Sequence, residues 1–358
     1  MKNRNTAPML QAVIAAALFG ASAPLSKLLL SEIAPTLMAS FLYLGSSSGL
    51  YLHRYALRYF HRLDERFSDE ASLTRNDWPW IIGAVLVGGI VAPIFLMFGL
   101  KNTPASTASL LLNFEGVATT VIAVVVFKEA VGKRIWMSVL LITTASILLS
   151  WDSSGQWGFS LGAIGVLSAC VLWGMDNNFT RNVSAKDPLS IVTIKGLSAG
   201  TFSLILSVIL GFSLPSFKFV LLAMLLGYFS YGLSIILFIR AMRELGSART
   251  CALFGTAPFV GTALSLPLFG ESQGTLFFLS LPIMMIGAVF LLKEDHEHLH
   301  KHETTEHEHR HNHKDSHHTH GHSDHEIPKD GYHSHGHQHE FIIHEHPHTP
   351  DIYHRHAH

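Results

Sequence analysis

Up to Leu292 the chain alternates long apolar runs with short polar breaks, and beyond Lys293 no apolar run exceeds the triplet Phe341-Ile342-Ile343. The upstream runs are about 20 residues long, which is what an α-helix needs to cross a hydrocarbon core of roughly 30 Å. Ten of them are predicted as helices: 9–30, 34–53, 78–99, 104–127, 135–151, 158–178, 188–210, 217–240, 248–269 and 274–292. The expected fold is an all-α polytopic membrane protein with ten transmembrane helices. Most connections are short, as between packed helical hairpins. The exception is the charged loop 54–77, read as an amphipathic surface segment. Met9–Leu30 is too long for the apolar region of a signal peptide and lacks a convincing small-residue cleavage site, so it is read as the first crossing.

Basic residues set the expected orientation. With alternate loops assigned to opposite sides, fifteen Lys and Arg fall on one side, and only Lys101 and Lys218 fall on the other. By the positive-inside rule both termini are expected in the cytoplasm, with a bacterial cytoplasmic membrane as the host bilayer. The net charge of −1 gives no basic patch that would argue for nucleic acid. Cys170 and Cys251 both lie in apolar runs and read as small buried hydrophobes, not as a disulfide.

The two halves carry matching landmarks. Phe19-Gly20, Lys27 and Pro35 recur as Trp173-Gly174, Arg181 and Pro188, with the spacing kept to within one residue. Val126-Phe127-Lys128-Glu129 recurs as Leu268-Phe269-Gly270-Glu271. Counted back from those glutamates, Gly116 falls opposite Pro258 and Ala105 opposite Ser247. The chain therefore divides into a first five-helix repeat (1–151), a second (158–292) and a tail (293–358). Five is odd, so the second copy is expected to enter the membrane from the opposite side. That is the inverted-repeat layout of many secondary transporters, with the substrate site between the halves. Gly45-x-x-x-Gly49 and Gly158-x-x-x-Gly162 are expected to let helices approach closely.

On these residues, together with 102–129 and 245–271, the chain resembles the drug/metabolite transporter superfamily, specifically its tandem EamA type. The resemblance covers about residues 9–292 and excludes the tail. It implies two inverted five-helix repeats and, usually, export of small solutes. One departure stands out: where the family often has proline in the fourth helix, this chain has Asn113-Phe114-Glu115-Gly116, whereas the ninth keeps Pro258.

Ionisable groups at membrane depth cost roughly 2.5–3.5 kcal/mol each on insertion scales, so they usually pair or carry function. The candidate solute and proton pathway consists of Glu115, Asn113, Asp176, Asn177 and Lys195, with Trp173 as a stacking surface. Glu115, in mid-span, is the candidate for proton exchange, and the alternative is that it pairs with Lys195 and merely ties the halves together. Asp176 reads either as a pathway residue or as a group near the headgroups.

The tail holds 23 of the 25 histidines. It is low in complexity and is expected to lack a packed fold. His333, His335, His337 and His339 alternate strictly, as do His344, His346 and His348; His354, His356 and His358 close the chain. Alternation on an extended chain puts imidazoles on one side, where neighbours can share an ion. Neutral imidazole suits Ni, Co, Zn and Cu, so a divalent transition metal is expected on the tail, and no cofactor is required elsewhere. No catalytic constellation appears. Three readings follow: an exporter of a transition-metal cation collected by the tail; an exporter of an organic metabolite or drug whose tail buffers or senses metal; or a metal-sensing membrane protein that transports nothing. The partners expected are the lipid bilayer and a small-solute or metal-ion substrate.

Overall fold

The computed structural model describes residues 6–59, 73–127, 132–151, 160–183, 186–245, 250, 253–270 and 273–292, and in the tail 296–302, 305–312, 332–339 and 342–348. Glu129, Glu271, Gly158, Cys251, Phe341, His354, His356 and His358 lie outside the described residues, as does most of the charged loop.

The helices fall into ten stretches among the described residues. The first half comprises α1 (Thr6–Gly20) with α2 (Ser22–Leu29); α3 (Pro35–Tyr59); α4 (Trp78–Ala84), a π-helical turn (Val85–Val91) and α5 (Ala92–Lys101); α6 (Ala105–Leu111) with α7 (Phe114–Phe127); and α8 (Lys133–Ser150). The second comprises α9 (Leu161–Arg181); α10 (Pro188–Ile209); α11 (Phe217–Gly227), a second π-helical turn (Tyr228–Leu233) and α12 (Ser234–Leu245); α13 (Ala257–Phe269); and α14 (Thr275–Leu292). Six stretches are long and apolar enough to cross a membrane: Ala7–Leu29, Arg75–Lys101, Ala105–Phe127, Lys133–Ser150, Leu189–Ile209 and Phe217–Ala241. Ala257–Phe269 and Thr275–Phe290 are shorter apolar helices. The outer surface is greasy: Leu161 is 73% exposed, Ile209 75% and Phe217 79%. Apolar exposure on this scale fits a lipid-facing wall.

The expected continuous helices are interrupted at three kinds of place. The third stretch of each half contains a π-helical turn, at Gly88-Gly89 in one and at Ser230-Tyr231-Gly232 in the other. Such turns shift the ladder and release carbonyls, and they concentrate at functional sites. The fourth stretch breaks at Leu112–Asn113, where Leu112, Asn113 and Glu115 donate to carbonyls only three residues back. Asn113 Nδ2 donates to Leu110 O at 3.0 Å, the same carbonyl that accepts from its own backbone N–H. The ninth stretch turns at 255–256, just before Pro258. The first pauses at Ala21.

Packing repeats as the sequence landmarks do. α3 lies on α10, α8 on α14 and α6 on α13, so each half's second, fifth and fourth stretches pack against their own counterparts. α1 crosses α13, and α9 crosses α7. Both of the latter crossings are closed by the glycine of an aromatic-Gly pair. A Cβ on Gly20 would strike Ala257 O and lie 3.1 Å from Val260 Cβ; one on Gly174 would lie 2.8 Å from Thr119 N and 2.9 Å from Ala118 Cβ. Ala118 and Val260 are equivalent in the register counted from Glu129 and Glu271. The aromatic-Gly landmarks thus mark two equivalent helix crossings. Small polar residues stitch the same interface: Ser40 Oγ donates to Gly200 O at 2.7 Å, Ser207 Oγ to Thr36 Oγ1 at 2.8 Å, and Ser138 Oγ to Gly287 O at 2.7 Å. Hydroxyls between helices serve this way in lipid, where water cannot. Gly45 meets α11 at Met224 and Gly49 meets the second π-helical turn at Tyr228, as the spacing predicts.

Strands occur only in the tail among the described residues: β1 (His296–His302), β2 (Thr305–Asn312), β3 (Tyr332–His339) and β4 (Ile342–His348). β1 pairs with β4 and β2 with β3, both antiparallel.

Candidate functional site

The polar groups of the membrane body gather where α9 crosses α7 and the first π-helical turn. α9 carries Trp173 and, three residues on, the consecutive Asp176, Asn177 and Asn178, which fan out to different neighbours.

Asn177 Nδ2 donates to Glu115 Oε1 at 2.9 Å and to Thr119 Oγ1 at 3.1 Å, and Thr119 Oγ1 donates back to Glu115 O at 2.8 Å. Asn178 Nδ2 donates to Thr119 O at 3.1 Å and to Gly174 O at 2.8 Å, clamping α9 to α7. Asp176 is buried; its Oδ2 forms an ion pair with Lys195 of α10, and its Oδ1 accepts from Thr180 Oγ1 at 3.1 Å. Trp173 Nε1 donates to Gly88 O at 3.0 Å, and Tyr43 OH donates to the same oxygen at 3.1 Å. The carbonyl that collects both lies inside the π-helical turn, where the helical ladder is displaced.

Gly88 and Gly89 seat the ion pair. A Cβ at Gly88 would overlap the Asp176 carboxylate, and one at Gly89 would lie 2.8 Å from Ala199 Cβ and 3.7 Å from Lys195 Cγ. Gly88→Ala is therefore expected to destabilise the protein by about 1–3 kcal/mol through overpacking. The drop would be read as a lowered melting temperature in detergent. Gly274→Ala, with no heavy atom within 4 Å, should leave it unchanged.

An aromatic wall completes the region. Tyr43 and Tyr231 lie 5.9 Å apart, Phe19 and Tyr231 5.7 Å, and Phe19 and Phe254 5.3 Å, centroid to centroid. These rings come from four different stretches and from both halves.

Of the residues singled out from sequence, Glu115 and Asn177 are in contact, as are Asp176 and Lys195, and Trp173 shares Gly88 with Asp176. One placement differs from expectation. Lys195 takes Asp176, on the helix that precedes its own, so the alternative of a Glu115–Lys195 tie is not what forms. Asp176 is buried inside the bundle. Asn113 is buried and turns its amide back onto Leu110 O, capping the helix break. Thr119, Tyr43 and Gly88 were not singled out. The glycine pair in the middle of an apolar run was the one signal pointing to Gly88. Among the described residues no group of three or more His, Cys, Asp or Glu could hold a metal.

A greasy bundle of helical stretches, two similar halves and a buried charged cluster at their crossing define a membrane protein of the transporter class. The EamA-like transporter family matches residues 6–151 and 160–293, and the chain belongs to it. It is similar to an uncharacterized transporter of Methanothermobacter thermautotrophicus, 27% identical over 295 residues, covering 78% of this chain and 84% of that protein. The crystal structure of another protein shares the fold with a TM-score of 0.57 at 16% identity, over 80% of this chain and 96% of its own.

Proposed function

We propose that the protein is a secondary-active exporter of ten crossings, in two five-helix repeats inserted in opposite senses, moving a small solute past the Glu115–Asn177 and Asp176–Lys195 pairs. The observation that supports this most is the pairing of each half's second, fourth and fifth stretches with their counterparts around a charged cluster. Such a pairing lets one half rock against the other about a central site. Glu115 is the proton-exchanging group: its carboxyl accepts from the Asn177 amide, while Lys195 is taken by Asp176. Both termini lie in the cytoplasm, so the tail stands at the entrance.

The cargo we propose is a divalent transition-metal ion of the Ni, Co, Zn or Cu class, gathered by the tail and passed to the oxygen donors of Glu115, Asn177 and Thr119. A second reading is favoured by the wall of Tyr43, Tyr231, Phe19 and Trp173. On that reading the cargo is an organic solute and the tail buffers metal. A strain lacking the gene, challenged with each metal, separates the two. On the metal reading, full-length protein restores growth and lowers cell metal content, and a chain ending at Leu292 does so only at higher expression. No effect of any metal on growth or content would sink the metal reading and leave the organic one.

A further inference from the structure

Lys27 is a basic side chain that the route past Glu115 and Asp176 does not use, and it sits where three stretches of the bundle end. Its amine donates to the Thr103 carbonyl, in the turn between α5 and α6, and lies 5.7 Å from the ring centroid of Phe269, the last residue of α13. α2 and α13 belong to different halves, so one lysine ties the halves together here. Thr103 is buried, whereas its neighbours Asn102 and Pro104 are exposed, as is Gly270 beside Phe269. The lysine therefore lies just beneath the surface of this end of the bundle. α2, α5 and α13 close the first, third and ninth stretches, each an odd number of stretches from Thr6, so this is the outer end when both termini are cytoplasmic. Beneath it α2, α6 and α13 pack against one another. Thr262 Oγ1 lies 3.3 Å from Ser106 O, and a Cβ on Gly261 would come within 3.0 Å of Ser109 Oγ and 2.6 Å of Gly20 O. Ser26 and Ser109 are 0% and 1% exposed, and neither hydroxyl has a hydrogen-bond partner among the described residues. Serines at other helix contacts, such as Ser40, Ser138 and Ser207, are paired. A hydroxyl buried without a partner is unfavourable, most of all where no water can reach it. Two of them at one seam call for a state in which they are used. Ser26 stands one turn beyond Ser22, which lies beside the Tyr231 hydroxyl of the aromatic wall. The hydroxyls thus run from that wall towards the lysine.

We propose that the seam between α2, α6 and α13 is the outer half of the solute route, shut in this structure, and that Lys27 is the bar that holds it shut. When Lys27 lets go of Thr103 O and Phe269, α13 parts from α6, and Ser26 and Ser109 offer their hydroxyls to the passing solute and its water. An ammonium held by one carbonyl and one ring is tied modestly and reversibly, which suits a gate. Its charge also bars small cations from re-entering while the seam is closed, as a basic group does in a selective pore. The gate rests on the transporter reading with both termini cytoplasmic, and it does not depend on which solute crosses.

The test is the rate at which Ser109→Cys is labelled by a membrane-impermeant thiol reagent, a sulfonated methanethiosulfonate, applied outside right-side-out membrane vesicles. The full-length chain is used, with Cys170→Ala and Cys251→Ala removing the native thiols. With Lys27 in place labelling should be slow. Lys27→Met should speed it by about ten-fold or more, as the loss of a hydrogen bond from a charged donor implies. Lys27→Arg should restore the slow rate, because a guanidinium can also donate to Thr103 O and lie over Phe269. Ser146→Cys is the control: Ser146 is likewise buried and unpartnered among the described residues, but it stands on α8, which packs on α14. It should label slowly whichever residue is at position 27. A rate at Ser109→Cys that ignores Lys27→Met would overturn the gate, since the lysine then holds nothing shut. The same acceleration at Ser146→Cys would also overturn it, since the lysine then merely holds the fold. Labelling decides the gate without a known cargo, whereas a wild type that carries no solute in proteoliposomes would sink the transporter reading itself.

Discussion

Lys195→Met is expected to lower unfolding stability by about 3–5 kcal/mol, the usual consequence of removing one member of a buried ion pair. The Asp176 side chain is 6% exposed and that of Lys195 18%, so neither ion can turn to water when its partner goes. Thr180 Oγ1 would remain as a donor to the Asp176 carboxylate. Asp176→Asn should cost a similar amount by stranding the lysine. The double variant should recover much of both losses, because the buried charges leave together. Thermal unfolding of the four proteins in one detergent gives the coupling directly. A double variant as destabilised as the sum of the singles would show that the pair contributes nothing as a pair. The pair joins α9 to α10 beside the π-helical turn, so its loss should also loosen the seat that Gly88 and Gly89 provide.

Glu115→Gln is expected to leave the fold intact and remove the response of transport to pH. Glutamine keeps an amide oxygen where Asn177 Nδ2 now donates at 2.9 Å, so the link from α9 to α7 persists. It cannot take or give a proton. Coupling between two ligands of one protein typically amounts to about 1–3 kcal/mol, or about 5–150-fold in affinity. Wild-type transport should therefore vary with pH within such a range, while the variant's rate stays flat. The helix break at Leu112–Asn113 adds a reason to look here: α7 begins afresh at Phe114, which puts Glu115 in the first turn of a helix that starts inside the body. Discontinuous helices are a recurrent way of building a transport site within a bilayer.

Most of the helical plan was legible in the sequence, because apolar run length and turn residues act locally. The repeat was legible from Phe19-Gly20 and Trp173-Gly174, which turn out to close two equivalent crossings. The interruptions were not. Gly88-Gly89 sits inside an apolar run, the polar Asn113 reads as a pathway residue as readily as a helix break, and a π-helical turn is decided by what packs against it, here Trp173 and Tyr43 on one carbonyl. The identity of Lys195's partner was likewise invisible, since Glu115 and Asp176 both read as groups at membrane depth and only the packing of α9 and α10 against the same π-helical turn selects between them.

The central claim is that solute crosses this bundle by a route whose protonation is governed by Glu115. The most direct test is flux of Ni(II), Co(II), Zn(II) and Cu(II) into proteoliposomes, each measured from pH 6 to pH 8 for wild type and Glu115→Gln side by side. The account predicts flux of at least one of these ions through wild type that changes with pH, and through the variant a flux with no pH dependence. A wild type and a variant that carry the ion with the same pH profile would contradict it.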